Sequence, residues 1–299
     1  MKKLFILLFF FFLLTDLAGC KVQDGNEYST SQILENVETF TQSEITTTSI
    51  FEQTLLTLEE LSSTLNNSIE ETTTIALTQT LPSAAKKSES KRVIAIDAGH
   101  QAKGNNEKEP IGPGASESKA KVASGTQGTA TKVPEYQLTL EVSLKLRDAL
   151  EDKGYAVFMI RESHDVNISN RQRAVLAAEA NADILVRIHA DGADTSSAKG
   201  MSTLCPSSKN PYIPHLYAQS KALSQYILSA MAKATNAKNR GVSEVDNMSG
   251  INWSSIPVTI IEMGFMTNPE EDRLMQTADY QEKLVSGMVT GIEEYFANQ

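Results

Sequence analysis

His100, His189 and Glu262 each stand beyond an apolar, largely β-branched run. The runs are Val93–Ile96, Ile184–Ile188 and Pro257–Ile261. Segments of that length and composition read as buried strands. An imidazole or carboxylate placed against one is costly unless it finds a partner. In open α/β sheets, ligands bind at the C-terminal edge of the strands, so these three residues point to one shared site. Two histidines and a carboxylate offer nitrogen and oxygen donors, a set that suits a divalent metal and fits zinc. Glu135, at the first turn of a helix opened by Pro134, can supply a third ligand and leave Glu262 free to act on a water. The residues by themselves argue for metal-assisted hydrolysis.

Several elements must position that set. Pro134 starts a helix that runs to about Lys153, with Gly154 just past its end, the usual punctuation of a helix. Tyr155–Ile160 reads as a strand, Asn170–Ala180 as a helix, Met201–Leu204 as a strand and Pro214–Ala234 as a long helix. Two further helices, near Pro269–Thr277 and Tyr280–Phe296, close the chain. Strands alternating with helices predict an α/β fold. It is a single domain over 93–299, with a mostly parallel twisted sheet covered by helices on both faces. Residues 101–134 are rich in Gly, Ser, Lys and Ala without apolar periodicity. They read as a long loop, pinned at both ends by the site and free in its middle, able to act as a flap.

The 299 residues carry 27 Lys+Arg against 37 Asp+Glu, a net charge of −10. That balance argues against nucleic acid as a partner, because phosphate binding needs a basic footprint. Two cysteines cannot build a disulfide framework or a thiolate metal cluster. Residues 1–19 read as a signal peptide, with Lys2 and Lys3 ahead of the apolar run Leu4–Leu14, which is too short to span a bilayer. Leu17-Ala18-Gly19-Cys20 resembles the bacterial lipobox, which implies lipidation of Cys20 and a membrane anchor. Residues 20–92 then form a Ser/Thr/Glu-rich linker. Between 21 and 85 there are ten acidic residues and one basic, so this segment reads as mostly disordered. One amphipathic stretch, from Leu55 to Ile69, competes with that reading. A tether of about 70 flexible residues spans on the order of 45 Å, and would hold the following domain near an extracytoplasmic membrane surface.

Taken together, Asp97-Ala98-Gly99-His100, Glu135 at a helix start, Arg187-Ile188-His189-Ala190-Asp191 and the run Ile256–Asn268 around Glu262 resemble the zinc-dependent N-acetylmuramoyl-L-alanine amidases of the type 3 family. Arg171, Asn181-Ala182-Asp183 and Asn239-Arg240-Gly241 are also similar to residues of that family. The resemblance covers nearly all of 93–299. It implies that His100, Glu135 and His189 ligate zinc and that Glu262 is the catalytic glutamate. It further implies that the substrate is peptidoglycan, cut between N-acetylmuramic acid and the L-alanine of the stem peptide.

The chain departs from the family in places. Thirty-four residues separate His100 from Glu135 where a short glycine-rich stretch is usual, and Glu109 and Glu117 within them compete as ligands. Gln101 replaces a common glycine, and Asp191 stands where Asn is more usual. Arg240 is a candidate for holding a substrate carboxylate or a structural acid. Asp97 either orients His100 or caps its loop, and Trp253 either floors the groove or belongs to the core. Two rival functions are a non-catalytic wall-binding lipoprotein with structural zinc and a zinc peptidase that cuts within the stem peptide.

Overall fold

A computed structural model describes residues 91–299. The leader, Cys20, the Leu55–Ile69 stretch and nearly all of the 20–92 linker lie outside the described residues. The central sheet has six strands. β1 (Val93–Ala98) pairs in parallel with β4 (Ala156–Met159) and with β5 (Ile184–Asp191), and β5 pairs in parallel with β8 (Val258–Phe265). β6 (Met201–Cys205) runs antiparallel to β8 and carries β7 (Asn239–Glu244) beside it. The order is β4-β1-β5-β8-β6-β7. The three strands expected to carry the site are thus adjacent and parallel, buried on both faces, which is why they read as unbroken apolar runs.

Helices cover both faces. On one, α1 (Glu135–Asp152), α3 (Tyr217–Thr235) and α6 (Ala278–Ala297) bury Leu146, Ile227 and Met288 against Ile96 and Val186. On the other, α2 (Asn170–Glu179) and the short α4 (Ser249–Asn252) cover a smaller apolar cluster around Leu185 and Ile260. α5 (Pro269–Met275) follows β8, opened by Asn268, whose side chain accepts from the N–H groups of Glu270 and Glu271. α3 and α6 approach closely because Gly287 and Gly291 have no side chain; a Cβ at either would meet the backbone of Met231 or Ile227. The doubly covered, mostly parallel sheet matches the expected fold class.

Two expectations need correction. Residues 101–134 are not structureless, since they contain an antiparallel hairpin of β2 (Asn105–Pro110) and β3 (Ser118–Val122). Nor is its middle free. Ile111 is buried, Trp253 Nε1 donates to the Pro110 carbonyl at 2.8 Å, and a Cβ on Gly112 would strike the Tyr212 ring. No local pattern marks this hairpin, because Asn-Asn-Glu-Lys-Glu-Pro and Ser-Lys-Ala-Lys-Val are mostly exposed or half-buried and show no apolar alternation. The edge strand β7 lacks such a pattern for the same reason.

Candidate active site

β1 and β5 are neighbours, yet the chain leaves β1 toward β4 on the opposite side. That reversal opens a crevice at the C-terminal strand ends, and His100 and His189 emerge there. The backbone is shaped to crowd them together. The Gly99 N–H bonds to the Ile188 carbonyl at 2.9 Å, and a Cβ on Gly99 would run into the His189 ring. His100 has a φ of 59°, in the left-handed region that a non-glycine residue adopts at a cost. Two contacts hold it there. Arg173 Nη2 donates to the His100 carbonyl at 3.0 Å, and His100 Nδ1 lies 2.8 Å from the Ala123 carbonyl at the end of the hairpin. The second contact places the proton on Nδ1 and leaves the Nε2 lone pair facing inward, as an outer partner does for a metal-binding histidine.

Glu135 completes the cluster from the start of α1. Its Oε1 lies 3.1 Å from His100 Nε2 and 3.2 Å from His189 Nδ1, and the two ring nitrogens are 3.2 Å apart. Donor atoms bound at zinc distances in a tetrahedral site stand roughly 3.3 Å from one another. The three side chains therefore fit a metal that none of them could bind well alone. Glu135 is only 3% exposed and is further held by the N–H groups of Thr126 and Ala190, at 2.9 and 3.1 Å. Burial opposes its ionisation, but the two imidazoles outweigh that and keep its carboxyl well below the ordinary range. Burial pushes His189 down to about 4, against the pull of Glu135. A neutral imidazole beside an ionised carboxylate is the protonation state that a divalent cation needs.

The competing carboxylates do not join. Glu109 is buried but accepts from the Arg171 N–H at 3.0 Å, and Glu117 is exposed. Among the described residues, the convergent His/Cys/Asp/Glu group is His100, Glu135 and His189.

Glu262 sits opposite His189 in the β5–β8 register, and its enclosed Oε2 has no hydrogen-bond partner. Burial, with Glu135 and Asp191 nearby, raises its carboxyl well above the ordinary value, against the opposing pull of Arg187. It borders both arms of the cleft. One arm, of about 540 Å³, passes His100 and His189 toward the hairpin; the other, of about 500 Å³, runs past Asp191 and Thr267.

Asp97 does not orient His100. Its two oxygens accept from Arg173 Nη1 at 2.6 Å and Arg187 Nε at 2.8 Å, a buried triad beneath the site with Arg187 at its cleft side. Arg173 is the helix arginine of that triad, while Arg171, two positions before it, stacks over Trp253 at 4.0 Å. Nothing local distinguishes the two in the sequence, since both lie on one helix. Arg240 lies over the Phe265 ring at 4.9 Å and lines neither arm of the cleft.

A parallel-sheet α/β domain with a His–Glu–His cluster at its strand edge and an unpartnered carboxylate beside it defines a candidate metallohydrolase. The model of the Amidase_3 family, described as N-acetylmuramoyl-L-alanine amidase, matches residues 94–294, and the chain belongs to that family. It is 25% identical over 182 residues to the germination-specific N-acetylmuramoyl-L-alanine amidase of Bacillus subtilis, covering 56% of this chain and 73% of that one. It is 27% identical over 214 residues to the N-acetylmuramoyl-L-alanine amidase Rv3717 of Mycobacterium tuberculosis, covering 69% and 87%. A solved N-acetylmuramoyl-L-alanine amidase from Clostridium difficile superposes with a TM-score of 0.57 at 27% identity, over 70% of this chain and 98% of the other. Ami1 from Mycobacterium smegmatis shares the fold with a TM-score of 0.62 at 24% identity, over 70% and 98%. The chain is thus an amidase of the N-acetylmuramoyl-L-alanine class.

Proposed function

We propose that His100, Glu135 and His189 hold zinc and that Glu262 moves the protons of amide hydrolysis on peptidoglycan. The bond cut joins the lactyl group of N-acetylmuramic acid to L-alanine. The observation that carries this reading is the meeting of three donor atoms within 3.2 Å beside an enclosed, unpartnered carboxylate oxygen. Zinc, when bound, polarises the amide carbonyl and lowers the pKa of a water to about 7. Glu262 accepts a proton from the attacking water and returns it to the departing amine, which is otherwise a poor leaving group. Glu262 borders both arms of the cleft, within reach of a substrate lying in either.

The full-length enzyme is expected to release peptides with L-alanine at the new amino terminus from purified peptidoglycan. Activity is lost in chelator and restored by zinc. A new terminus inside the stem peptide identifies a peptidase instead, and wall binding without any cleavage identifies the non-catalytic lipoprotein.

The amidase works outside the cytoplasm, tethered through Cys20 and the acidic linker. The lipobox-like Leu17–Cys20 and the basic-then-apolar leader support this placement. Labelled fatty acid is expected to enter the wild-type chain, while Cys20→Ala stays unlabelled and is released in soluble form. Equal labelling of both chains rules out the anchor.

A further inference from the structure

The two arms of the cleft differ in charge. The first is lined by Lys108 and Lys119 of the hairpin and by Arg187 of β5, with Glu262 at its inner end as its one acidic lining residue. The second holds Glu135, Asp191, Asp194 and Glu262 and has no lysine or arginine in its lining. Arg187 is 3% exposed, so its position in a cleft wall is costly without a partner. Its Nε serves Asp97, and its Nη2 serves Asn170 Oδ1 at 2.8 Å. Nη1 makes no hydrogen bond among the described residues and lies against Gly250, another wall residue of the same arm; a Cβ there would collide with it. Lys108 and Lys119 form no ion pair among the described residues, whereas Lys121, on β3 with Lys119, binds Glu107 at 2.6 Å. Glu109, opposite Lys119 in the hairpin register, is committed to the Arg171 N–H.

We infer that this arm is an anion-selecting subsite. It takes a carboxylate of the stem peptide between the hairpin and Arg187, with Lys108 and Lys119 supplying positive charge from the hairpin; the peptide runs beneath the hairpin and the sugar lies on the Asp191 side. The inference rests on the amidase reading and adds the direction of the substrate and the feature that is selected. The hairpin is the part of this chain inserted between His100 and Glu135, so the lysines' share of the selectivity belongs to the insertion. Two carboxylates of a stem peptide have the required chemistry: the free α-carboxylate of a γ-linked second residue and a side-chain carboxylate on the third.

Two pairs of synthetic muramyl peptides separate these sources on the full-length, zinc-loaded enzyme. One pair carries the second-residue carboxylate either free or as the amide. The other carries or lacks a carboxylate on the third side chain. At one of the two positions the free acid is expected to raise kcat/KM by about tenfold, mainly through KM, as charge-assisted hydrogen bonds do. The responding pair identifies the carboxylate. In the Lys108→Ala/Lys119→Ala double variant that ratio falls to about threefold or less, leaving the share of Arg187, while Lys→Arg at both positions preserves it. Equal rates within both pairs, or a ratio undiminished in the alanine variant, overturn the subsite and leave the amidase standing. Failure to cut the muramyl–alanine bond in any of the peptides removes the amidase reading. Equilibrium binding of the acid and amide forms to the wild-type chain then decides the charge preference on its own, and equal affinities overturn it.

Discussion

Glu262→Gln is expected to lower kcat on peptidoglycan by about 10³-fold while zinc content stays at the wild-type level. Glutamine keeps the shape of the side chain on β8 and cannot accept the proton of the attacking water. Glu262 lies outside the three-donor cluster, so its replacement leaves the distances among His100, Glu135 and His189 intact. Glu135→Gln behaves differently, since it weakens the donor set and lowers zinc content along with rate. Steady-state kinetics beside metal analysis of the two variants separates the roles. Substantial turnover by Glu262→Gln at full zinc occupancy removes Glu262 from the proton transfers, and normal zinc affinity in Glu135→Gln removes Glu135 from the ligands.

Asp97→Asn is expected to cost about 3–5 kcal/mol, because it leaves Arg173 and Arg187 charged and buried without their shared carboxylate. For a domain of this size, that corresponds to a fall in Tm of about 10 °C. The damage reaches the site, since Arg173 also holds the strained carbonyl of His100. Burial works against the Asp97 carboxylate, but Arg173 and Arg187 outweigh it and depress its pKa well below 3.8. A depressed folded-state pKa means that the unfolded chain binds the proton first as acid is added. The contribution of Asp97 is therefore complete above the unfolded value and is lost as pH falls below 3.8 toward the folded value. Thermal melts from neutral pH down to pH 3 test this: the advantage stays constant above 3.8 and starts to shrink below it. An advantage of the wild type over Asp97→Asn that already falls well above 3.8 contradicts the depressed pKa, and a variant as stable as the wild type at neutral pH shows that the triad is not a source of stability.

His100, His189 and Glu262 were legible in the sequence because each follows a run whose burial is a property of the run itself. Glu135 was legible because Pro134 and Gly154 bracket its helix, and helix punctuation is also local. Those short-range patterns determined the α/β class, the order of the principal elements and the edge where the polar residues meet. Pairings across the chain were not legible. Asp97 finds Arg173 76 residues away and Arg187 90 residues away, and an arginine two positions from Arg173 packs on Trp253 instead. In sequence a buried arginine and an exposed one look alike, because burial depends on what the other elements bring. The hairpin within 101–134 was hidden for a related reason, as its strands are polar and gain their order from each other and from Trp253 and Tyr212. Only the tertiary structure set the Ala123 carbonyl against His100, chose Glu135 over Glu109 and gave the two arms of the cleft opposite charge. Each depends on contacts between segments far apart in the chain, which no local pattern of residue types encodes.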